Sequence, residues 1–441
     1  MKVKFKSFLK IMLVLLMVFS LVACDSGEPK QSGDSESKTS SETASNGDPI
    51  VIGGTFTVSG PVSHAGKMAL EGAEAAIKYV NEELGGINGR PVELKYYDDE
   101  FDESKIPMLY ERLITQDKVD LLVSPYTSPF LAAAPVVAKH DKMMFCIAAD
   151  SYVANDSFGQ NIVNIQMDDK WRGGQWWHDV AEFFVNFDEW NTKGLEKPKT
   201  IAVCNLNISY GQEIADSVIP YWKENGFDIV YNELFEPGHS DWAPVISKLK
   251  ELKPDIVFVP HYFEDSVRFV EKAKELDYSA DYMIIEGMGW DTLSWTRPEL
   301  GGLAPEVAQK GFFSYSVYKD KYESDTKDYL AKVIKEKYDH VPGNDHLTGF
   351  MAVELAAKAA NKAGSIEKDK LIETLTNNEF TLAAYPYQMN SSGGNGSDFR
   401  WGVGQYIPPN IDEAVGTDRD WHCVWPANFK DADPVYPFPG W

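Results

Sequence analysis

The chain alternates short strand-like runs with amphipathic stretches, and this alternation constrains its fold more than any other feature. Residues 50–54 form an apolar, β-rich run, whereas in residues 68–84 the apolar side chains recur at helical spacing. The period of the pattern therefore changes from that of a strand to 3.6 residues. Further strand-like runs lie at 92–96, 119–124 and 143–148, with helical stretches at 108–116 and 130–140. A βαβ series of this kind predicts a parallel sheet wrapped by helices.

The same pattern begins again near residue 200. Strand-like runs at 200–204, 228–234 and 256–260 alternate with helical stretches at 212–225 and 246–252, and helices are also predicted at 328–338 and 347–363. The chain beyond residue 48 has about 390 residues, which exceeds the size at which a single hydrophobic core stops growing. We therefore predict an α/β fold of two doubly wound parallel-sheet lobes joined by a hinge.

The pattern also suggests which parts of the chain form each lobe. We assign residues 50–167 to lobe 1 and residues 168–310 to lobe 2. Residues 311–365 are predicted to return to lobe 1, and the C-terminal segment 366–441 to belong mostly to lobe 2. Ligands of open parallel sheets bind beyond the carboxyl ends of the strands. A small-molecule ligand is therefore expected in the cleft between the lobes.

The N-terminus has the features of a lipoprotein signal peptide. Four lysines precede an apolar run at residues 11–19, which is followed by Leu21, Val22, Ala23 and Cys24. We predict that residues 1–23 are removed and that Cys24 becomes the diacylated N-terminus. A plain membrane anchor is the alternative, but the run is shorter than the roughly 20 apolar residues that a spanning helix needs.

Residues 24–48 are predicted to be the lipidated cysteine and a disordered tether, because they contain no large apolar side chain. The chain would then be anchored to the cell membrane through lipid, on the extracytoplasmic side, in the periplasm or at the cell surface.

Charge and cysteine content narrow the possible partners. The formal net charge of -25 disfavours nucleic acid and anionic lipid surfaces. Apart from Cys24, the chain has Cys146, Cys204 and Cys423, an odd number without metal-ligand spacing. Cys146 and Cys204 lie in strand-like apolar runs and are predicted to be buried thiols. The sequence leaves open whether Cys423 pairs with one of them.

The chain has no recognisable catalytic, cofactor or metal motif. It contains no G-x-x-x-x-G-K-[ST] phosphate loop, no H-E-x-x-H and no G-x-S-x-G. The acidic group at residues 98–103 lacks the glycine and the terminal glutamate of an EF-hand loop. We interpret it as a solvated turn between a strand and a helix. No enzyme activity, cofactor or metal is predicted.

Several local motifs resemble one family. They are Ser59-Gly60-Pro61, the glycine-rich turn at 85–89, Tyr97-Asp98-Asp99, Tyr210-Gly211 and Glu286-Gly287. Over residues 50–363 the chain is similar to the branched-chain amino acid and amide family of type I periplasmic binding proteins. The resemblance implies a substrate-binding protein that closes around an amino-acid-like molecule and delivers it to the permease and ATPase subunits of an ATP-binding-cassette importer.

The resemblance also implies which residues of lobe 1 contact the ligand. Ser128 would hold the ligand carboxylate with its hydroxyl and backbone amide, near a helix start where aligned donors suit an anion. The carbonyl of Ala149 and the hydroxyl of Ser151 would meet its polar atoms. Asp169, or its neighbour Asp168, matches an acidic position at the first crossover between lobes.

Three positions of lobe 2 complete the implied site. Tyr210 and Tyr262 match aromatic positions that close over the ligand. Glu286 matches the glutamate that pairs with the ligand ammonium, a charge-assisted hydrogen bond.

Two positions depart from the family pattern. Ala65 stands where the family has a ligand-packing tyrosine, and Asp150 adds a carboxylate to the pocket. With aromatic side chains at Trp171, Trp176 and Trp290 near predicted cleft segments, an enlarged pocket would suit a ligand bulkier than leucine or valine. The alternative is that a neighbour, such as His64 or a tryptophan, fills the space.

Two functions other than transport are compatible with parts of the sequence. The same fold serves as a sensory ligand-binding module, but no transmembrane helix or signalling domain follows in this sequence. A secreted hydrolase using Asp168, Asp169 or Glu286 as an acid–base pair is disfavoured because no catalytic motif accompanies these carboxylates.

Overall fold

The computed structural model describes residues 47–147, 157–158, 161–166, 174–286, 293–317, 319, 321–397, 399–407 and 421–441. These residues belong to a single compact unit. No helix within these ranges combines the length and apolarity that crossing a membrane requires.

The first sheet is entirely parallel, as the sequence predicts. Its five strands have the order β2-β1-β3-β4-β5. They are β1 (Ile50–Phe56), β2 (Val92–Asp98), β3 (Leu121–Ser124), β4 (Met144–Cys146) and β5 (Ile162–Asn164). Helices of this part are α1 (Ser63–Glu82), α2 (Ile106–Thr115) and α3 (Thr127–Lys139). The side chains of β3 and β4 are fully buried, as expected for strands covered by helices on both faces.

The second sheet repeats this architecture with four parallel strands in the order β7-β6-β8-β9. They are β6 (Thr200–Leu206), β7 (Asp228–Phe235), β8 (Ile256–Pro260) and β9 (Tyr282–Glu286). The helices are α4 (Gly174–Val185), α5 (Phe187–Trp190), α6 (Ser209–Asp216), α7 (Val218–Glu224), α8 (Ala243–Leu252) and α9 (Phe263–Glu275).

The single helix predicted at 212–225 is two helices, α6 and α7, that meet at Ser217. Pro220 explains the break, because it has no N–H to donate to the carbonyl of Asp216 and its ring crowds that position.

The C-terminal third adds helices and short antiparallel sheets. It contains α10 (Pro305–Ala308), α11 (Asp325–Tyr338), α12 (Asn344–Ala363) and α13 (Lys368–Asn377). The strands are β10 (Ser314–Ser316), β11 (Phe380–Thr381), β12 (Pro386–Tyr387), β13 (Gly402–Tyr406) and β14 (Trp421–Trp425). Strands β10, β13 and β14 form an antiparallel sheet that the sequence analysis did not predict.

The C-terminal segments pack on both parallel sheets. Helix α12 packs along α1, and α13 packs on α12. At the end of the chain, Phe438 N–H donates to Asp281 O at 2.8 Å, and Trp441 Nε1 donates to Tyr278 O at 2.8 Å, both beside β9. The lobe boundaries given above stay a prediction.

The three cysteines of the described chain are buried thiols. Cys146, Cys204 and Cys423 are not joined in disulfides. Burial raises the pKa of Cys423 to about 12, so this thiol stays protonated. The pairing that the sequence left open for Cys423 is therefore not made.

The helices and loops that flank the two sheets contact each other through aromatic side chains. The ring of His64, in the first turn of α1, stacks on Phe263 of α9 with centroids 4.1 Å apart and planes 17° apart. The backbone N–H of His64 donates to Glu264 Oε1 at 3.3 Å. Phe101 contacts Tyr262 edge-on at 5.1 Å.

His64 makes the stability of the fold depend on pH. Burial, followed by the nearby His346 and His340, lowers the pKa of His64 from 6.5 to about 4. The folded state therefore favours the neutral ring, and its stabilising effect is complete above pH 6.5. As the pH falls from 6.5 to 4, the unfolded chain is protonated first, and we expect a loss on the order of 3 kcal/mol from this residue.

Urea unfolding at several pH values between 7.5 and 4 tests this expectation. His64→Gln cannot be protonated, so the variant should lose less stability than the wild type across that window. If the free energy of unfolding fell equally with pH in the two proteins, His64 would not contribute to the pH dependence of stability.

Candidate functional site

Ser128 lies where β3 leads into α3. Its side chain is 3% exposed, and within the described part of the chain its Oγ has no hydrogen-bond partner. Thr127 and Ser128 open the helix, so their backbone N–H groups lie in the first turn, where the helix supplies no acceptors. A buried hydroxyl at a helix N-terminus is suited to bind an anionic group such as a carboxylate.

Tyr126 directly precedes this helix and packs beside Ala65. Its side chain is 2% exposed, and its hydroxyl donates to the carbonyl oxygen of Ala65 at 2.6 Å. The ring that borders Ala65 therefore comes from the start of α3. His64 instead faces Phe263. Within the described part of the chain, this arrangement supports the alternative in which a neighbour occupies space beside Ala65, and that neighbour is Tyr126 rather than His64.

Tyr210 and Tyr262 come together in the second lobe. Tyr210 lies in the first turn of α6, after β6, and Tyr262 immediately precedes α9, after β8. Their rings are nearly parallel, with centroids 6.4 Å apart and planes 27° apart, and both are almost fully buried. Because β6 and β8 are adjacent parallel strands, the two tyrosines share the carboxyl edge of the sheet.

Glu286 is placed on the same edge by the backbone. It is the last residue of β9 and pairs in register with Pro260 of β8, two residues before Tyr262. Its side chain lies outside the described part of the structure.

The other predicted site residues also lie outside the described residues. Among them are Ala149, Ser151, Asp169 and its alternative Asp168, together with Asp150, Trp171 and Trp290. The lipidation site Cys24 lies outside as well. Of Trp176, only the backbone is described, within α4.

Acidic groups lie near the tyrosines. Asp99 is fully buried, and its Oδ1 accepts hydrogen bonds from Thr57 Oγ1 at 2.6 Å and from Phe101 N at 3.0 Å. Burial raises the pKa of Asp99. Asp345, in the first turn of α12, is also buried. Both carboxylates add to the effect of burial that raises the pKa of Tyr262.

The turn at 98–103 is only partly solvated. Asp98 accepts hydrogen bonds from Ser59 Oγ at 2.6 Å and from Glu100 N at 3.0 Å, and Asp102 accepts from Ser104. These carboxylates organise the turn by accepting hydrogen bonds from Ser59 and from within the turn, and none of them caps α2. The complete burial of Asp99 differs from the solvated turn that was expected, because Thr57 and the backbone of Phe101 hold it inward.

A cavity of about 360 Å³ lies between the two lobes. It is lined by Pro61, Phe101, Glu103, Asn207, Ile208, Ser209, Glu236 and Pro237. Phe101 lines this cavity and also contacts Tyr262. Residues that follow strands of both sheets therefore line a space close to Tyr262.

Tyr126 and Phe101 are residues of this region that the sequence analysis did not single out. Tyr126 could have been found from its position two residues before Ser128, at a strand-to-helix junction. Nothing in the local sequence of Phe101 indicates a contact with Tyr262, since 161 residues separate them along the chain.

Comparisons with known proteins agree with this architecture. A family model described as periplasmic binding protein matches residues 49–398. The leucine-, isoleucine-, valine-, threonine- and alanine-binding protein of Pseudomonas aeruginosa is 26% identical over 336 residues, covering 76% of this chain and 83% of the relative.

Two solved structures show the same fold. The leucine binding protein of Thermotoga maritima aligns with a TM-score of 0.68 at 20% identity, covering 83% of this chain and 98% of that chain. A solute binding protein of an ABC transporter from R. palustris, in complex with benzoate, aligns with a TM-score of 0.69 at 14% identity, covering 86% and 98%. These neighbours confirm the predicted α/β fold with two lobes. Because the family model matches residues 49–398, which are most of this chain, the chain belongs to the periplasmic binding protein family.

Proposed function

We propose that this protein is the extracytoplasmic substrate-binding lipoprotein of an ATP-binding-cassette importer. It captures an amino acid or an amino-acid-like molecule between its lobes and presents it to the permease and ATPase subunits. The observation that carries this proposal is the buried hydroxyl of Ser128 at the start of α3, a helix that contacts α6 of the second sheet across the cleft. Neither a chemical step nor a cofactor is part of the proposed function.

The chemistry around the cleft supports a ligand with both an anionic and a cationic group. The start of α3 offers donors to a carboxylate, whereas Asp99 and Asp345 lie near Tyr262 and favour positive charge. Glu286 is proposed to bind the ammonium group, and Ala149, Ser151 and Asp169 to complete the polar contacts. Amino acids combine these groups, and the relative from Pseudomonas aeruginosa is named for binding them.

Closure of the lobes is the proposed mechanism of recognition. A ligand shifts the balance between open and closed forms only by its differential affinity for the two. Tyr210 and Tyr262 belong to the second sheet and Ser128 to the first, so a ligand that contacts all three gains its full affinity only in the closed form. The permease would then recognise the closed shape.

Ser128→Ala should weaken binding of a carboxylate-bearing ligand. A hydrogen bond to a charged group typically contributes about 1.5–3 kcal/mol, so we expect an affinity about 10- to 150-fold lower. A thermal-shift screen of amino acids identifies a ligand, and calorimetry then compares the wild type, Ser128→Ala and Ser247→Ala. Ser247 is an exposed serine of α8 that bonds to Ala243 O, so its variant should bind normally.

A second compound sharpens this test: the amine that differs from the amino-acid ligand only by lacking its carboxylate. It should bind more weakly than the amino acid to the wild type and should lose little further affinity in Ser128→Ala. An equal loss for both compounds would show that Ser128 does not hold the carboxylate.

Tyr126 is expected to set the size of the pocket beside Ala65. Tyr126→Ala removes the ring and should shift preference toward bulkier amino acids, because the space would no longer be filled. Tyr126→Phe removes only the hydrogen bond to Ala65 O and should leave the order of preference unchanged. Calorimetry with a graded series of aliphatic and aromatic amino acids measures this order, and a uniform loss across the series in Tyr126→Ala would rule out a role in selectivity.

Cys24 is proposed to anchor the protein through lipid. Cys24→Ser should release the protein from the membrane and leave ligand affinity unchanged, because the predicted tether separates the anchor from the fold. Membrane fractionation followed by calorimetry on the soluble protein provides the measurement. A mature, cleaved Cys24→Ser protein that remained in the membrane pellet would contradict the anchor.

A further inference from the structure

Two histidines and a glutamate meet on lobe 1, away from the tyrosine pair. Glu71 lies on α1, His340 lies between α11 and α12, and His346 lies in the first turn of α12. Glu71 Oε2 is 3.3 Å from Nε2 of His340 and 3.3 Å from Nε2 of His346. One ligand atom from each residue lies within 4.8 Å of the other two. No motif in the sequence joins these three residues.

The distances are compatible with a shared metal ion as well as with hydrogen bonds. A hydrogen bond from a ring N–H to a carboxylate is usually about 2.7–3.2 Å long. Two ligands at about 2.0–2.2 Å from a tetrahedral Zn²⁺ ion are separated from each other by about 3.4 Å. The two 3.3 Å separations around Glu71 Oε2 match this second value.

His340 is oriented as a metal-binding histidine usually is. Its Nδ1 lies 3.2 Å from the carbonyl oxygen of Val341, to which a neutral ring donates its single proton. The lone pair of Nε2 then points toward Glu71. Histidine ligands of metals commonly donate their second ring N–H to a carbonyl in this way.

His346 requires one change before it can bind a metal through Nε2. The N–H of Gly343 donates to its Nδ1 at 3.1 Å, so the neutral ring carries its proton on Nε2. Metal binding would remove this proton from Nε2 and place it on Nδ1, and the hydrogen bond from Gly343 would break. The ring stays neutral throughout, so no net proton is released by His346.

We propose that Glu71, His340 and His346 bind a divalent transition metal of the zinc class. Two imidazole nitrogens and one carboxylate oxygen form a donor set that suits Zn²⁺, Ni²⁺ or Co²⁺, whereas Ca²⁺ and Mg²⁺ prefer oxygen ligands alone. The side chains of His340 and Glu71 are 19% and 22% exposed, and that of His346 is fully buried. The partial exposure lets the ion enter and lets water take a fourth position.

The site would brace the helix that contacts the second lobe. Glu71 and His64 both lie on α1, about 10 Å apart along the helix axis. A metal joining Glu71 to the start of α12 would hold α1 in the position from which His64 stacks on Phe263. Binding should therefore raise the thermal stability of the protein.

Metal titration of the full chain tests this proposal independently of any transported ligand. After treatment with EDTA and its removal, calorimetry with ZnCl₂ should show one ion per chain, and CoCl₂ should produce the visible absorption of tetrahedral Co²⁺. Glu71→Gln and His340→Gln should each weaken Zn²⁺ binding at least about tenfold, since even outer-shell changes at metal sites have effects of this size.

His140→Gln is the matched control. His140 Nε2 lies 2.9 Å from Glu111 Oε1, a histidine–glutamate pair outside the proposed site, so its variant should bind Zn²⁺ like the wild type. Circular dichroism checks the fold of each variant. If Glu71→Gln is unstable, Zn²⁺ binding by His340→Gln provides the test, because the ring of His340 is partly exposed. Failure of the wild type to bind Zn²⁺, or unchanged binding in the folded site variants, would overturn the proposal.

Discussion

The close packing of α12 on α1 is the constraint on which the first lobe depends. A Cβ atom at Gly72 would lie 1.9 Å from the carbonyl oxygen of His346, and one at Gly349 would lie 1.8 Å from that of Ala69. Both glycines are therefore required for the two helix backbones to approach. This contact joins segments about 270 residues apart in the sequence and returns the C-terminal third of the chain to the first sheet.

The position of α1 in turn determines two features of the cleft. His64 and Ala65 are adjacent in its first turn, but they serve different surfaces: His64 stacks on Phe263, and the carbonyl of Ala65 accepts a hydrogen bond from Tyr126. Gly66 follows, where a Cβ atom would lie 1.8 Å from Thr57 O, so the helix start is pressed against the end of β1. The contact of His64 with Phe263 and the contact of Ala65 with Tyr126 are consequently coupled through one turn of α1.

The sequence predicts those parts of the structure that depend on local pattern. Both parallel sheets follow from the alternation of strand and helix periods. The family resemblance singles out Ser128, Tyr210 and Tyr262, and all three lie just after strands of these sheets. The break at Ser217 could have been predicted from Pro220. The sheet of β10, β13 and β14 could not, because β10 lies far from the other two strands in sequence and the strands show no alternation of buried and exposed residues. Likewise, Glu71 and His346 meet only through helix packing, which spacing along the chain does not reveal.

Under the proposed mechanism, the partly buried carboxylate of Glu264 opposes closure of the lobes. Its Oε1 accepts a hydrogen bond from His64 N, whereas its Oε2 is buried with no partner in the described part of the chain, and burial raises its pKa. A buried carboxylate without full hydrogen bonding is unfavourable relative to one in water. Opening the lobes would rehydrate Glu264 and separate His64 from Phe263, so the aromatic contact and the carboxylate oppose each other. Contacts made by a ligand in the cleft would then decide which form is populated, as the proposed function requires.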